Sequence, residues 1–194
     1  MRTAFLGGSF NPLHLGHLQL ADELRHRGYE RVLLIPANIP AHKRAPRSVE
    51  PHVRLEMTRA AALAYGFDVS DCEIERGGVS YTIDTLRYIQ QTFKPEGAVG
   101  ILIGEDLLAD FHTWRQYKEL LAEAELLVAR RGSVRLDRND ISYDRIDNPD
   151  FPVSSTEIRG RMAEGRAYRF LLPPEVYRFI RERGLYSEGE EVSR

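Results

Sequence analysis

Residues 3–17 read TAFLGGSFNPLHLGH, an apolar run that stops at two glycines and continues into a helical pattern. This order predicts a buried strand over Thr3–Leu6, a loop, and a helix over about His14–Arg27 that ends at Gly28. The two glycines allow the backbone of the loop to approach a ligand closely. The helix start presents backbone N–H groups and the positive end of the helix dipole, so this loop is a candidate phosphate site.

The rest of the chain alternates apolar runs with helical patterns. Buried strands are predicted over 31–35, 99–103 and 126–129, with a short strand near 67–69. Helices are predicted over 50–65, 81–92, 114–122, 155–164 and 174–183, with a helical segment near Asp106. The segment 37–48 is predicted to be a loop, and 130–152 has no clear pattern. We therefore expect an α/β fold, a Rossmann-like doubly wound parallel sheet with helices on both faces. Ligands bind such sheets at the carboxyl ends of the strands.

Length and composition limit the class of protein. The 194 residues suggest a single domain over 1–186 with C-terminal helices and a frayed tail over 187–194. The formal net charge of -2 argues against a globally basic nucleic-acid binder, and no apolar run is long enough to cross a bilayer. The single Cys72 excludes an internal disulfide and a Cys-rich zinc site. Because the start also lacks a secretory-signal pattern, we expect a cytoplasmic enzyme or binding protein with no nucleic-acid or membrane partner; the sequence leaves open a homo-oligomer.

Two histidines stand at the start of the first predicted helix. His14 and His17 are three residues apart, so they share one helix face and can both donate hydrogen bonds to phosphate oxygens. Either histidine alone fits a structural role, since His17 is in register with Leu20 and Leu24. Their combination with the two glycines and Pro12 favours a phosphate site. The loop is neither a P-loop nor a G-x-G-x-x-G fingerprint.

A second candidate segment opens the predicted helix over 155–164. Residues 154–157, Ser-Ser-Thr-Glu, fit a capping box, and Arg159 adds a forked donor that suits phosphate. In isolation the simpler interpretation is that this segment only caps a helix. The presence of the first loop makes a second phosphate-binding element the better hypothesis.

Both segments resemble signatures of the HxGH nucleotidyltransferases, which transfer a nucleotidyl group from a nucleoside triphosphate to a phosphate and release pyrophosphate. GGSFNPLHLGH resembles their first signature, although the family often has Asp where this chain has Asn11. VSSTEIR resembles their ISSTxIR signature, with Val153 in place of Ile. The resemblance implies that residues of this second segment hold the triphosphate.

Within that superfamily the chain is most similar to the bacterial nicotinate-nucleotide adenylyltransferases. The segments that carry this likeness are IPANIPAHKR at 35–44, GGVSYTIDTL at 77–86 and IGEDLLADFHTW at 103–114. Ordinary structural alternatives remain for each: Thr82 could start a helix, Asp106 could cap one, Trp114 could fill the core, and Lys43 could be a solvated charge.

The resemblance implies roles for individual residues. It implies catalytic roles for His14, His17 and Arg159. It implies contacts to ATP from Gly7, Gly8, Ser9, Phe10, His17, Gly104, Asp106, Ser154, Ser155, Thr156 and Arg159. It implies that Lys43 meets phosphates, and that the mononucleotide contacts Asn11, His42, Lys43, Tyr81, Thr82 and Trp114.

The implied reaction transfers the adenylyl group of ATP to nicotinate mononucleotide and gives deamido-NAD and pyrophosphate, a step of NAD biosynthesis. Mg²⁺ is expected to be held mainly through substrate phosphates, without a protein metal site. The mononucleotide phosphate is already a nucleophile, so no general base is needed. Three alternatives stay open: nicotinamide mononucleotide as the acceptor, phosphopantetheine as the acceptor, or a non-catalytic nucleotide-binding regulatory module.

Overall fold

The computed structural model of the chain describes residues 1–41, 49–130 and 138–186. Its strands in these ranges are β1 (Thr3–Gly8), β2 (Arg31–Pro36), β3 (Ile39–Pro40), β4 (Asp68–Val69), β5 (Val79–Ser80), β6 (Val99–Gly104), β7 (Ala124–Ala129) and β8 (Asp144–Ile146). Its helices are α1 (Leu15–His26), α2 (Pro51–Tyr65), α3 (Cys72–Arg76), α4 (Thr82–Phe93), α5 (Tyr117–Glu123), α6 (Ser155–Ala163) and α7 (Pro174–Arg183). None of the helices in these ranges has the length and apolar character that a membrane span needs.

Six strands form one sheet in the order β4-β2-β1-β6-β7-β8, and every neighbouring pair is parallel. The chain builds outward from β1 in one direction and from β6 in the other. The strand order therefore reverses between β1 and β6, whose carboxyl ends lie side by side. This is the position at which a doubly wound sheet binds its ligands.

Both faces of the sheet are covered, as the continuous apolar runs predict. Alternate residues of β1 enter two separate cores, with Leu6 in one and Phe5 in the other. The first core also contains buried residues of α1, α2, α6 and α7. The second contains buried residues of α3, α4 and α5. The predicted α/β class with helices on both faces is confirmed.

Several elements differ from their predictions. The expectation of a helix from Trp114 is wrong, because Trp114 is extended and Gln116 adopts a left-handed conformation with φ of 53°, so α5 begins at Tyr117. The predicted loop over 37–48 contains β3, which pairs with β5 in a separate two-stranded parallel sheet. The unassigned segment 130–152 contributes β8 to the edge of the main sheet.

Candidate active site

A cavity of about 630 Å³ opens at the carboxyl ends of β1 and β6, where the sheet topology places a ligand site. Most of the predicted site residues within the described ranges line it. These lining residues are Gly7, Gly8, Ser9, Phe10, Asn11, His14, His17, Thr82, Gly104, Asp106, Trp114, Ser154, Ser155, Thr156 and Arg159. Segments distant in the sequence therefore meet in one place.

The two histidines form a stacked pair at the start of α1. Their ring centroids are 3.6 Å apart with an interplanar angle of 24°, and the Phe10 ring packs nearly perpendicular to the His17 ring with centroids 4.9 Å apart. The backbone N–H of His14 donates to Nδ1 of His17 at 3.2 Å. Since Nδ1 accepts this bond, the neutral His17 imidazole carries its hydrogen on Nε2. His17 is therefore prepared to donate from Nε2.

Gly16, between the two histidines, has a packing role that the sequence analysis did not assign. A Cβ at this position would lie 3.0 Å from Cγ1 of Val153 and 3.1 Å from Nδ1 of His14. The lack of a side chain lets the first turn of α1 pack directly against the segment that leads into α6. The signal was present, because a glycine within a helical pattern points to close packing.

The start of α6 is bonded to the first loop. Ser154 caps α6, since its Oγ accepts the backbone N–H of Glu157 at 3.1 Å, and the predicted cap is confirmed. Ser155 Oγ donates to the carbonyl oxygen of Pro12 at 2.9 Å. While that bond holds, the Ser155 hydroxyl hydrogen is engaged, so a phosphate contact from Ser155 falls to its backbone N–H.

Arg159 ties the same two segments together and adds positive charge. Its Nη1 donates to the carbonyl oxygen of Asn11 at 2.6 Å, and its Nη2 donates to Thr156 Oγ1 at 3.3 Å. Burial lowers the pKa of the Arg159 guanidinium, but arginine is so strong a base that the charge is kept at neutral pH. The cavity thus has a fixed cation at the start of α6.

Arg54 of α2 is a second cation beside the first loop, it is more deeply buried than Arg159, and it was not among the predicted site residues. Its side chain is buried (1% exposed), and its guanidinium donates to the carbonyl oxygens of Ser9 (2.5 Å), Ala37 (2.7 Å), Val49 (3.0 Å) and Asn38 (3.1 Å). Burial lowers the pKa of this guanidinium. The sequence signal that could have identified Arg54 is its place in register with the apolar stripe of α2. A guanidinium buried at such a position requires hydrogen-bond partners.

The other end of the cavity contains a buried carboxylate, Glu73. Its Oε1 accepts the hydroxyl hydrogen of Thr85 at 2.6 Å. Burial raises the pKa of Glu73, while hydrogen bonds from Thr85 and Ser80 partly offset that rise. Thr82 lines the same cavity. Glu73 was not among the predicted site residues, because it stands in a short helix without a recognisable pattern.

The two aromatic predictions have different outcomes. Trp114 is 9% exposed, packs against Phe111 with ring centroids 4.9 Å apart, and also lines the cavity, so it belongs to the core and to the site. Tyr81 is not among the residues that line the cavity. The guanidinium of Arg115 lies 4.8 Å from the centroid of the Tyr81 ring, and the ring packs on the second core.

Asp106 lies in a short 3-10 turn directly after β6, where it is exposed and lines the cavity. The neighbouring Glu105 is buried, and its Oε1 accepts a hydrogen bond from Arg145 Nη1 of β8 at 2.8 Å. This ion pair anchors the turn to the edge strand. Within residues 1–41, 49–130 and 138–186 there is no cluster of three or more His, Cys, Asp or Glu residues that could hold a metal ion. The predicted residues His42 and Lys43 lie outside these ranges.

Comparison with known proteins gives consistent matches over nearly the whole chain. A family model described as cytidylyltransferase-like matches residues 5–161. A Borreliella burgdorferi protein named "Probable nicotinate-nucleotide adenylyltransferase" is 35% identical over 194 residues, which are 99% of this chain and 100% of that protein. An Exiguobacterium sibiricum protein of the same name is 38% identical over 96% of this chain and 100% of its own length.

A solved structure with the same fold extends these matches. The nicotinic acid mononucleotide adenylyltransferase of Plasmodium falciparum, complexed with NaAD, superposes with a TM-score of 0.74 at 18% identity and covers 95% of this chain and 97% of its own. At this identity the similarity concerns the fold alone.

Proposed function

Because the chain belongs to the cytidylyltransferase-like family and, within it, to the nicotinate-nucleotide adenylyltransferases, we propose that it transfers the adenylyl group of ATP to nicotinate mononucleotide. The products are deamido-NAD and pyrophosphate, as in NAD biosynthesis. One observation carries the proposal: the first loop and the α6 start, 148 residues apart at the Asn11–Arg159 bond, line one cavity and are joined by hydrogen bonds. A cytoplasmic location is part of the proposal.

The chemistry requires positioning more than acid–base catalysis. An oxygen of the mononucleotide phosphate attacks the α-phosphorus of ATP in line, and the bond from that phosphorus to the β-phosphate bridging oxygen breaks as pyrophosphate leaves. The attacking group is already an anion, so no proton needs to be removed. The barrier arises from bringing several negative charges together, and fixed donors and cations at the site lower it.

The described residues supply such donors on two sides of the cavity. His17 donates from Nε2 to an oxygen of the α-phosphate, and His14 supports it through ring stacking. Arg159 and the backbone N–H groups at the start of α6 face the β- and γ-phosphates. Lys43 joins these cations in the proposal as an expectation from the sequence alone.

The acceptor occupies the end of the cavity near Thr82 and Trp114. The N–H groups at the start of α4, which begins at Thr82, suit the nicotinate carboxylate, and the Trp114 indole offers a flat apolar surface to the pyridine ring. Mg²⁺ when bound neutralises charge on the triphosphate. Asp106 offers a single carboxylate, at the turn that follows β6. The residues present therefore fit a Mg²⁺ ion that is held mainly by phosphates and water.

The experiment that tests this proposal compares nucleotide donors and identifies the product. The purified protein is incubated with nicotinate mononucleotide and either ATP or CTP, and pyrophosphate release is followed together with mass spectrometry of the product. We expect deamido-NAD and pyrophosphate in equal amounts with ATP, and little turnover with CTP. Binding of ATP without pyrophosphate release would favour the non-catalytic module. A parallel reaction contains ATP and phosphopantetheine without the mononucleotide, and turnover there alone would favour that alternative acceptor.

A further inference from the structure

Asn11 of the first loop is the point at which three distant parts of the chain meet. Its side chain is buried (1% exposed). Its carbonyl oxygen accepts the Arg159 guanidinium at 2.6 Å, and its Oδ1 accepts the backbone N–H of Val49, which precedes α2, at 3.4 Å. The hydrogen bonds to Asn11 Oδ1 therefore help to fix where the Asn11 carbonyl oxygen meets Arg159.

A shorter contact to that oxygen than the one from Val49 comes from Tyr186, beyond the end of α7. The Tyr186 hydroxyl donates to Asn11 Oδ1 at 2.7 Å, across 175 positions of sequence. Burial raises the pKa of this hydroxyl, so it stays protonated and remains a donor throughout the neutral range. Arg159 and Arg54 lie close enough to act on the hydroxyl electrostatically. The Tyr186 hydroxyl thus lies near both cations of the site, the half-buried Arg159 and the buried Arg54.

The backbone of Tyr186 is also unusual. Its φ is 63°, in the left-handed region that residues with a side chain seldom adopt. Such a conformation is kept only where surrounding contacts hold it, and it is often found at functional sites. The hydrogen bond to Asn11 and the packing of the Tyr186 ring on the first core provide those contacts.

We propose that Tyr186 is a positioning residue for adenylyl transfer, which acts through Asn11 to fix the first loop relative to Arg159. The inference rests on the proposed function, and it adds a residue that lies beyond the segment matched by the family model. Without the Tyr186 hydroxyl, Asn11 Oδ1 loses its 2.7 Å hydrogen bond, so the Asn11 carbonyl oxygen that accepts from Arg159 is held less firmly. The triphosphate is then held less accurately for in-line attack.

The test uses Tyr186→Phe, which removes only the hydroxyl, with Tyr177→Phe as the matched control. Tyr177 is a half-buried residue of α7 whose ring packs 5.8 Å from that of Tyr168, and it does not line the cavity. We expect Tyr186→Phe to lower kcat/KM for ATP by about tenfold and Tm by about 2–4 °C. Tyr177→Phe should leave kcat/KM unchanged. A drop in Tm for Tyr186→Phe with unchanged kcat and KM would show a purely structural role and overturn the proposal.

A double-mutant cycle tests the route through Asn11. In an Asn11→Ala background, the further change Tyr186→Phe should cost less than about twofold in kcat/KM, because its partner is already gone. A second full tenfold loss would mean that Tyr186 does not act through Asn11.

If the wild-type protein makes no deamido-NAD, the proposed function fails, and the dissociation constant for ATP then decides whether Tyr186 positions the nucleotide site. Severalfold weaker ATP binding by Tyr186→Phe supports it, and equal binding overturns it.

Discussion

Single residues of this site combine packing with chemistry. The His14 backbone holds Nδ1 of His17, and this bond determines which ring nitrogen carries the hydrogen. The sequence predicted both histidines from their spacing and from the glycines before them. It could not predict the ring stacking or the tautomer, because those depend on the extended conformation of His14 before α1 begins.

His17→Ala should lower turnover by about 10²–10³-fold, because it removes a donor aimed at charge that develops in the transition state. Pyrophosphate release with ATP and nicotinate mononucleotide measures the effect, and circular dichroism checks the fold. His26→Ala is the matched control, since His26 is exposed at the far end of the same helix. Turnover within about twofold of the wild type would remove His17 from the catalytic set.

Trp114→Phe should raise KM for the mononucleotide by about five- to tenfold, with a smaller change in kcat, because a smaller ring offers less surface to the pyridine. The indole also packs on Phe111, so a loss of about 1–3 kcal/mol in stability is expected. Steady-state kinetics and urea denaturation separate the two effects. An unchanged KM together with reduced stability would place Trp114 in the core alone.

Glu73→Gln should change how stability depends on pH. Burial raises the pKa of Glu73 in the folded state, so folding favours its protonated form. The contribution of Glu73 is then fully present below the pKa of glutamate in the unfolded chain and is lost as pH rises through the higher folded-state pKa. The Tm of the wild type relative to Glu73→Gln should therefore increase as pH falls from about 7 to about 4.5. A Tm difference between the two proteins that stays constant from about pH 7 to about pH 4.5 would contradict the raised pKa of Glu73.

At the scale of elements, the contact between α1 and α6 organises the phosphate end of the cavity. Gly16→Ala places a Cβ 3.0 Å from Val153 Cγ1 and should cost about 1–3 kcal/mol of stability, with reduced activity because the two helix starts move apart. Gly160→Ala in α6 is the matched control, because a Cβ there meets nothing within 4 Å. It should stabilise by about 0.5–1 kcal/mol. Urea denaturation measures both, and wild-type stability for Gly16→Ala would contradict the close packing.

Elements with a long apolar pattern were predictable, and short ones were not. The central strands β1, β2, β6 and β7 carry continuous apolar runs, so both their existence and their coverage on two faces followed from the sequence. β3, β4, β5 and β8 have two or three residues each, too few to show a period, and of these only β4 was expected. The start of α5 was misplaced because a left-handed Gln116, set by tertiary packing, interrupts the helical pattern.

Across the whole molecule, the site is assembled by contacts that no local pattern encodes. A net charge of -2 argues against a globally basic protein, yet it hides two cations near the strand ends, the buried Arg54 and the half-buried Arg159. The sequence predicted which loops would meet, since parallel strands place their carboxyl ends at one edge. It did not predict that Tyr186 would reach Asn11, because α7 carries no signal of its destination.

The measurement that tests the central claim most directly is the ratio of kcat/KM for nicotinate mononucleotide and nicotinamide mononucleotide, determined side by side with ATP. The two acceptors differ only in a carboxylate and a carboxamide, so the ratio reports on the end of the cavity near Thr82. We expect a ratio of at least about tenfold in favour of nicotinate mononucleotide, since the N–H groups at the start of α4 favour an anion. Comparable kcat/KM values with both acceptors, or a preference for nicotinamide mononucleotide, would contradict the proposal that nicotinate mononucleotide is the acceptor.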